Sequence, residues 1–157
     1  MNLPPREFES RVLHALVRRE TEDAEAIAWA AAWLEACGYP GLKMLSEALD
    51  DSRQNIDLVR DGLGFDLQDV SCVFLAAAIM ADVKAHGRVF LRNVRHGLYL
   101  LPFTVSENIG IGCPVDPSFA VGGERHKNPY AEKLALAELK GLEVDVEMLK
   151  SLATPSP

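Results

Sequence analysis

The segment LQDVSCVFLAAAIMADVKAHGRVFLRNV, residues 67–94, joins two different periodicities and decides the fold class. Residues 67–86 contain neither glycine nor proline, and Gly87 follows where a helix is expected to end. Residues 88–94 are rich in valine, phenylalanine and leucine and predict a buried strand. A helix followed at once by a strand is typical of an α/β or α+β domain.

Three helices are predicted before this segment. They cover residues 5–19, residues 24–37 with Thr21 as the N-cap, and residues 42–49. The remaining predicted elements are a strand over 56–60, a strand over 109–113, an irregular loop over 114–129, and helices over 130–140 and 144–152. We therefore predict an α/β (α+β) fold, with an N-terminal helical segment followed by a small mixed or antiparallel sheet covered by helices. The domain is expected to span residues 1–152, followed by a frayed tail at 153–157.

Composition and charge exclude several classes of function. With 157 residues, of which 48% are hydrophobic and 25% charged, the chain has the composition of one globular domain. Its net charge of -7 opposes a nucleic-acid partner, because phosphate backbones are bound by clustered lysine and arginine. The longest apolar stretch, residues 73–81, is about half of what a membrane-spanning helix needs. We therefore expect neither nucleic acid nor membrane as a partner.

The cysteines indicate a reducing compartment. Cys37, Cys72 and Cys113 are scattered along the chain and have no CxxC spacing. This pattern predicts reduced, mostly buried thiols and no structural metal site. Residues 1–6 have no cationic and then apolar signal pattern, so a cytoplasmic location is expected.

Basic residues are concentrated in one part of the chain. No acidic residue interrupts the run Lys84, His86, Arg88, Arg92, Arg95 and His96. A second run, Arg125 to Lys127, lies in the predicted glycine loop. If the two runs meet, then Arg92, Arg95, His96, Arg125 and His126 would form a site for a small carboxylate or phosphate. The alternative is that these side chains are solvated ends of a helix and a strand.

Several short motifs follow one another in a fixed order along the chain. They are DGLG at 61–64, VKAHGRVFLRNVRH at 83–96, NIGIG at 108–112, GGER at 122–125 and NPYA at 128–131. Together they resemble the malate/L-lactate dehydrogenase family that is unrelated to the Rossmann lactate dehydrogenases. His96 occupies the place of a histidine at that family's cofactor and substrate site. The resemblance spans roughly residues 24–131 and implies a non-Rossmann α/β sandwich, a homodimer, and NAD or NADP as a possible cofactor. The chain is also similar to short bacterial relatives that have no assigned activity.

Some of the family's reactive residues are not matched. The family's Asp-Ser-His-Gly motif, which supplies a catalytic histidine, should fall at residues 37–41, where this chain has Tyr39 and Pro40. Proline cannot transfer a proton, and the ordinary pKa of tyrosine, about 10, is far from neutral pH. Lys43 stands near the place of the family's substrate-binding arginine, and lysine does not offer a bidentate fork. Tyr39, Lys43 and His96 are therefore the remaining catalytic candidates.

These observations favour a non-catalytic or partner-dependent relative of the dehydrogenases, with a small-anion pocket around His96. Two alternatives are open. One is a small NAD(P)-dependent reductase of keto or imino acids, in which a homodimer completes the site. The other is a structural or regulatory homodimer that uses Trp29 and Trp33 of the second helix as its interface, although aromatic pairs at helical spacing are also typical of a core.

Overall fold

The computed structural model describes residues 1–62, 64–112, 119–124 and 128–153. The chain forms two compact units. Met1–Asp50 and Pro129–Pro157 make the first, and Asp51–Asn128 make the second. The first unit is therefore built from both ends of the sequence. The single folding domain over residues 1–152 stays a prediction, and most of the predicted tail at 153–157 lies outside the described residues.

The elements confirm the predicted fold class, with helices first and then a small mixed sheet covered by helices. In chain order they are β1 (Asn2–Leu3), α1 (Pro5–Arg18), α2 (Ala24–Ala36), α3 (Gly41–Asp50), β2 (Gly64–Asp66), α4 (Cys72–His86), β3 (Arg88–Arg92), a 3-10 helix (Gly97–Leu100), α5 (Leu101–Ser106), β4 (Ile109–Gly112), β5 (Phe119–Glu124), α6 (Ala131–Lys140), β6 (Leu142–Glu143) and α7 (Val146–Ala153). Among the described residues, no helix is both long enough and apolar enough to cross a membrane.

Helix α2 lies at the centre of the first unit. It packs against α1, α3 and α6, and most of its residues from Ile27 to Leu34 are buried. The Trp33 side chain is only 7% exposed, and its ring centroid lies 5.0 Å from that of Tyr130. Most of the apolar surface of α2 is therefore covered within its own unit. Trp33 is a core residue, whereas Trp29 is only partly buried, and a subunit contact through this helix stays a prediction.

A short antiparallel pair joins the two sequence segments of the first unit. Asn2 and Leu3 of β1 pair with Glu143 and Leu142 of β6. The Asn2 side chain also donates a hydrogen bond of 3.0 Å to the carbonyl of Lys140, at the end of α6. Beside this pair, α1 and α3 both contact α7. The C-terminal helices are thus integral to the packing of the N-terminal ones.

One predicted helix cap and one predicted helix start are wrong. Asp23, with a left-handed φ of 55°, is the residue before α2, and Thr21 is not its cap. The long helix predicted over residues 67–86 begins at Cys72, because the Ser71 hydroxyl accepts a hydrogen bond from the Val73 amide and caps α4 there. The apolar residues before Ser71 that extended the helical pattern are buried, but they belong to the preceding loop.

The strand predicted over residues 56–60 is not formed. Residues 53–60 have no regular secondary structure, and the nearby strand is β2 instead. Ile56 and Leu58 pack against the core of the second unit, which explains the alternating apolar pattern without strand pairing. The alternating apolar residues here reflect the burial of one side of the segment, without strand pairing.

The second unit is a four-stranded sheet in the order β2-β3-β5-β4. β2 and β3 are parallel, whereas β5 pairs antiparallel with both β3 and β4. Along β3, Val89 and Leu91 are buried and the arginines at either end are exposed. The buried side packs with α4, whose Leu75, Ile79 and Val83 belong to the same core. The sheet therefore has one face covered by α4, and the strand predicted over residues 88–94 is buried on that face only.

The loop predicted over residues 114–129 contains a strand, β5. Gly122 of β5 stands opposite Arg88 of β3 and has a φ of 145°, which L side chains rarely adopt. A Cβ atom at this position would lie 2.9 Å from Arg88 Cα and would overlap the Gly87 carbonyl oxygen. The strand pairing needs glycine here, and glycine weakens the local strand signal.

The buried thiols agree with the sequence prediction where they are described. Cys37 and Cys72 are free and buried. Burial raises the pKa of Cys72 to about 12, so this thiol is unreactive at neutral pH. Cys113 lies outside the described residues.

Candidate functional site

The candidate site is formed by the two loops that follow the parallel strands β2 and β3. Backbone hydrogen bonds continue beyond both strands, from the Leu67 amide to the Arg92 carbonyl at 2.9 Å and from the Asp69 amide to the Asn93 carbonyl at 3.0 Å. The Cys72 amide then donates to the Arg95 carbonyl at 2.9 Å. The loops are thereby held side by side up to the N-terminus of α4. In open α/β sheets, this carboxyl edge of parallel strands is where ligands usually bind.

Ser71 and His96 meet at this edge. Ser71 Oγ lies 2.7 Å from His96 Nδ1, and the same oxygen accepts the Val73 amide at 3.2 Å. When the hydroxyl donates its proton to Nδ1, the neutral imidazole carries its own proton on Nε2. The Ser71 side chain is fully buried, whereas His96 is partly exposed. Ser71 therefore orients the ring, and its burial argues against a role as a nucleophile.

The backbone of these loops is strained at several positions. His96 has a φ of 58° and Asn93 a φ of 52°, both in the left-handed region. Gln68 and Asp69, in the loop after β2, share this conformation with φ values of 52° and 62°. Non-glycine residues in this region cost energy and are concentrated at functional sites and clamps. The strain places His96 at the start of the 3-10 helix, next to Ser71.

An ionised carboxylate belongs to the same loops. Asp66 Oδ1 accepts the Asn93 side-chain amide at 2.8 Å and the Gln68 backbone amide at 2.9 Å. The hydrogen bond from Asn93 is the largest cause that lowers the pKa of Asp66, followed by that from Gln68 and by nearby arginines. Asp66 therefore carries a negative charge at neutral pH and ties the two loops together.

The arginines predicted to bind an anion are paired with carboxylates. Arg95 Nε and Nη2 lie 2.8 and 3.0 Å from the two oxygens of Asp51, which is a bidentate contact. Arg92 Nη2 lies 3.2 Å from Asp61 Oδ2. Charge-assisted pairs are strong when they are bidentate, so the Arg95 guanidinium is mainly engaged in its ion pair with Asp51. The positive charge expected from the sequence is therefore largely balanced at this end of β3.

The basic run does not come together as one patch. Arg92, Arg95 and His96 follow the carboxyl end of β3, whereas Lys84 and His86 precede its amino end. There Lys84 Nζ lies 3.0 Å from Glu107, and His86 Nε2 lies 3.7 Å from Asp82.

The glycine loop approaches the amino end of β3, because Gly122 pairs with Arg88. Residues 122–124 are therefore at the opposite end of the strand from His96, whereas Phe119 pairs with Leu91 nearer the carboxyl end of β3. Arg125 and His126, the other predicted anion ligands, lie outside the described residues.

Tyr39 and Lys43, the other catalytic candidates, belong to the first unit. The Tyr39 ring packs edge-on against Tyr130, with the centroids 6.3 Å apart. Its backbone amide donates to the Leu34 carbonyl at 2.8 Å and so closes the end of α2. Lys43 is exposed on α3. These contacts give Tyr39 a structural role in the turn between α2 and α3.

A second titratable group in the first unit was missed by the sequence analysis. Glu35 lines a cleft of about 330 Å³ together with Cys37, Lys133 and Lys140. Burial raises the pKa of Glu35 to about 7, although a hydrogen bond from the Leu42 amide opposes the shift. A glutamate in the last turn of a predicted apolar helix is a weak signal, because only tertiary packing decides whether it is buried.

Within residues 1–62, 64–112, 119–124 and 128–153, no group of three or more His, Cys, Asp and Glu side chains is placed to hold a metal ion. The chain matches no protein-family profile, no curated protein and no solved structure at significant similarity.

Proposed function

We propose that the protein is a non-catalytic or partner-dependent relative of the malate/L-lactate dehydrogenases that binds a small monocarboxylate at His96. The position of His96 carries the proposal. It follows β3, contacts Ser71 at the start of α4, and has a left-handed backbone. Strand ends and helix N-termini are where α/β proteins gather ligand-binding groups.

The charge balance of the loops determines the kind of ligand. Asp51 and Asp61 neutralise much of the charge of Arg95 and Arg92, and Asp66 adds a further negative charge. A dianionic phosphate or a pyrophosphate would be repelled by these carboxylates. A monocarboxylate can accept a hydrogen bond from the imidazole with less repulsion. We expect weak binding, with a dissociation constant on the order of 1 mM.

The absence of catalysis is proposed from the residues available for proton transfer. The family's proton-transferring histidine is replaced at residues 39–40 by tyrosine and proline, and the Tyr39 ring is packed against Tyr130. Ser71 is buried and serves as a helix cap. His96 is thus left as a binding group within the described part of the second unit.

The proposal is tested by titrating lactate, oxamate and inorganic phosphate into the ¹⁵N-labelled protein. Lactate or oxamate should shift the amide signals of residues 67–71 and 93–97, and phosphate should shift them less. His96→Ala should weaken the response by about tenfold, the effect of one lost charge-assisted hydrogen bond. His86→Ala is the matched control, since His86 belongs to the same basic run but lies at the other end of β3.

Enzyme assays separate binding from catalysis. We expect no oxidation of NADH or NADPH with pyruvate, oxaloacetate or cyclic imino acids. Turnover of about 1 per second, an ordinary enzyme rate, would contradict the non-catalytic proposal and support the NAD(P)-dependent reductase instead. Equal responses of the His96→Ala and His86→Ala variants to lactate would contradict His96 as the binding group.

A further inference from the structure

The cleft that contains Glu35 lies between the end of α2, helix α6 and β6, all of which belong to the first unit. Its volume of about 330 Å³ is at the lower end of the range of small-molecule sites. Glu35 contributes a partly buried carboxyl group from α2. Lys133, Leu136 and Lys140 contribute exposed side chains from α6. The cleft therefore combines an acidic group from one helix with basic and apolar groups from another.

Glu35 has no cationic partner in the part of the chain that the structure describes. Burial raises the pKa of Glu35 to about 7, and the cause that opposes this shift is a hydrogen bond from the Leu42 amide of α3, not a positive charge. An opposite charge brought next to a buried carboxyl group favours its ionised form. An ammonium group of a ligand would therefore supply the partner that the fold does not give to Glu35.

The two lysines of the cleft lie on one face of α6, seven residues and so about two helical turns apart. Lys133 Nζ lies 5.9 Å from the centroid of the Tyr130 ring, so part of its interaction capacity is already used. Among the described residues, no carboxylate pairs with Lys140. Glu143, the other acid of the cleft, is 79% exposed and lies 3.7 Å from the N-terminal ammonium of Met1. Lys140 is therefore the cation that is best placed to accept a carboxylate.

The apolar surface of the cleft is supplied by Leu136. This residue lies between the two lysines along α6, and its side chain is 49% exposed. Ala137 and Leu142 also line the cleft but are buried, so they offer a ligand little further surface. Covering the exposed part of Leu136 with an aliphatic group removes apolar area from water and adds to affinity.

We propose that this cleft binds an α-amino acid with an aliphatic side chain. The ammonium group contacts ionised Glu35, the carboxylate contacts Lys140, and the side chain packs on Leu136. Neither lysine forms an ion pair with Glu35, so the opposite charges of the cleft are left apart for a zwitterion to bridge. The cleft belongs to the first unit and His96 to the second, so one site can fail without the other.

The probe for this site is leucine, measured by isothermal titration calorimetry at about pH 8. Saturable binding is expected, with a dissociation constant on the order of 1 mM. Isocaproate lacks the ammonium group of leucine and isoamylamine lacks its carboxylate, so each should bind at least about tenfold more weakly. Glycine, which lacks the side chain, should also bind more weakly than leucine. Binding of isocaproate or isoamylamine as tight as that of leucine would overturn the proposal, as would the absence of saturable leucine binding up to about 10 mM.

The pH dependence of binding tests the role of Glu35 without any substitution. Between about pH 6 and pH 8 leucine stays zwitterionic, whereas the ionised fraction of Glu35 rises from about one tenth to about nine tenths. Leucine affinity should therefore rise about tenfold over this range, and binding at about pH 6 should release a proton. The other titratable groups that line the cleft are Cys37, Lys133, Lys140 and Glu143.

The variant Glu35→Gln assigns this pH dependence to one group. It should bind leucine at least about tenfold more weakly at about pH 8 and show no rise between about pH 6 and pH 8. Glu25→Gln, at an exposed residue in the first turn of the same helix, is the matched control and should keep the rise. Leucine affinity that is independent of pH in the natural protein would contradict the contact between the ammonium group and Glu35.

Variants of α6 locate the rest of the ligand. Lys140→Gln should weaken leucine binding by about tenfold, and Leu136→Ala by about threefold. The controls are Arg6→Gln and Leu139→Ala, at exposed residues of α1 and α6 that do not line the cleft, and both should bind leucine like the natural protein. Circular dichroism confirms that each variant is folded. A folded Lys140→Gln variant that binds like Arg6→Gln would overturn the placement of the carboxylate, and equal effects of Leu136→Ala and Leu139→Ala would overturn that of the side chain.

Discussion

Ser71 Oγ lies 2.7 Å from Nδ1 of His96, so one buried hydroxyl both caps helix α4 and orients the imidazole at the end of β3. The cap and the ring orientation are thus coupled through a single atom. A change at Ser71 has to affect the stability of the fold and the state of His96 together.

The Ser71→Ala variant should lose about 1 to 2 kcal/mol of unfolding free energy, because the cap of α4 and a buried hydrogen bond are both removed. Urea denaturation measures this loss. In the same variant, the ¹⁵N signals of the His96 ring should move towards the tautomer ratio of a solvent-exposed histidine. Ser106→Ala, at an exposed position in α5, is the control and should change neither quantity. An unchanged His96 ring signal in Ser71→Ala would contradict the coupling.

Glu35→Gln should raise the free energy of unfolding, relative to the natural protein, more at pH 8 than at pH 4. The pKa of Glu35 is raised by burial from 4.5 to about 7, so the folded state holds a proton that the unfolded state releases between these values. The stability of the natural protein therefore falls as pH rises from about 4.5 to 7, and the glutamine variant is spared this loss. Since Glu35 is only partly buried, the gain at pH 8 should be about 1 to 2 kcal/mol.

The pH dependence is measured by chemical denaturation of both proteins at the two pH values. Glu138→Gln, at an exposed site on α6, is expected to change stability by less than about 0.5 kcal/mol at either pH. If Glu35→Gln changes the free energy of unfolding by the same amount at pH 4 and pH 8, then ionisation of Glu35 does not destabilise the folded state.

Gly64→Ala should strongly destabilise the second unit. A Cβ atom at residue 64 would overlap the Phe90 carbonyl oxygen of the adjacent strand, so β2 and β3 would have to separate. We expect a loss of about 3 kcal/mol or more in thermal or urea unfolding. Gly38→Ala is the comparison, because Gly38 has a positive φ but open space around it. Its cost should be about 1 kcal/mol, from backbone strain alone. Similar costs for the two variants would be inconsistent with this close strand pairing.

A homodimer stays a prediction. The exposed apolar surface that favours it belongs to α6 and not to α2. In α2, Trp33 is buried and Trp29 is partly buried, whereas Leu136 and Leu139 of α6 are 49% and 85% exposed. Sedimentation velocity at a concentration on the order of 50 µM should show a dimer that Leu139→Glu converts to a monomer. Val59→Glu, at a residue 75% exposed in the second unit, should leave the dimer intact. A natural protein that sediments as a monomer would refute the homodimer.

The helices were predictable because their signals are local. The apolar spacing in α1, the apolar run of α2 and the glycine after α4 all lie within or beside the helix concerned. The bounds of α1, α2 and α3 agree with prediction to within one residue. Tertiary contacts shifted only the ends, as at Ser71, where a buried serine cap shortened the predicted helix.

The short strands and the charge pairing were not predictable in the same way. β5 contains two glycines, and its partner β3 lies about 30 residues earlier in the chain, so no local pattern marks it. Of the acids that pair with the basic run, Asp82 directly precedes it, but Asp51, Asp61 and Glu107 are distant from it in sequence. A run of one charge in the sequence therefore did not predict a patch of that charge in space. His96 was correctly placed at the end of a strand, and its partner Ser71 was missed.

The construction of the first unit from both ends of the sequence sets an order of events during synthesis. Residues 51–128 are contiguous, so the sheet and α4 can fold as soon as they leave the ribosome. Helix α2 has to wait for α6, and β1 for β6, which is about 140 residues away in the register Asn2↔Glu143. The nascent chain therefore exposes the apolar side of α2 until residues 131–143 emerge. A nascent chain from which residues 1–128 have emerged therefore combines a complete sheet with an incomplete helical unit, whose exposed apolar surface is of the kind that chaperones bind.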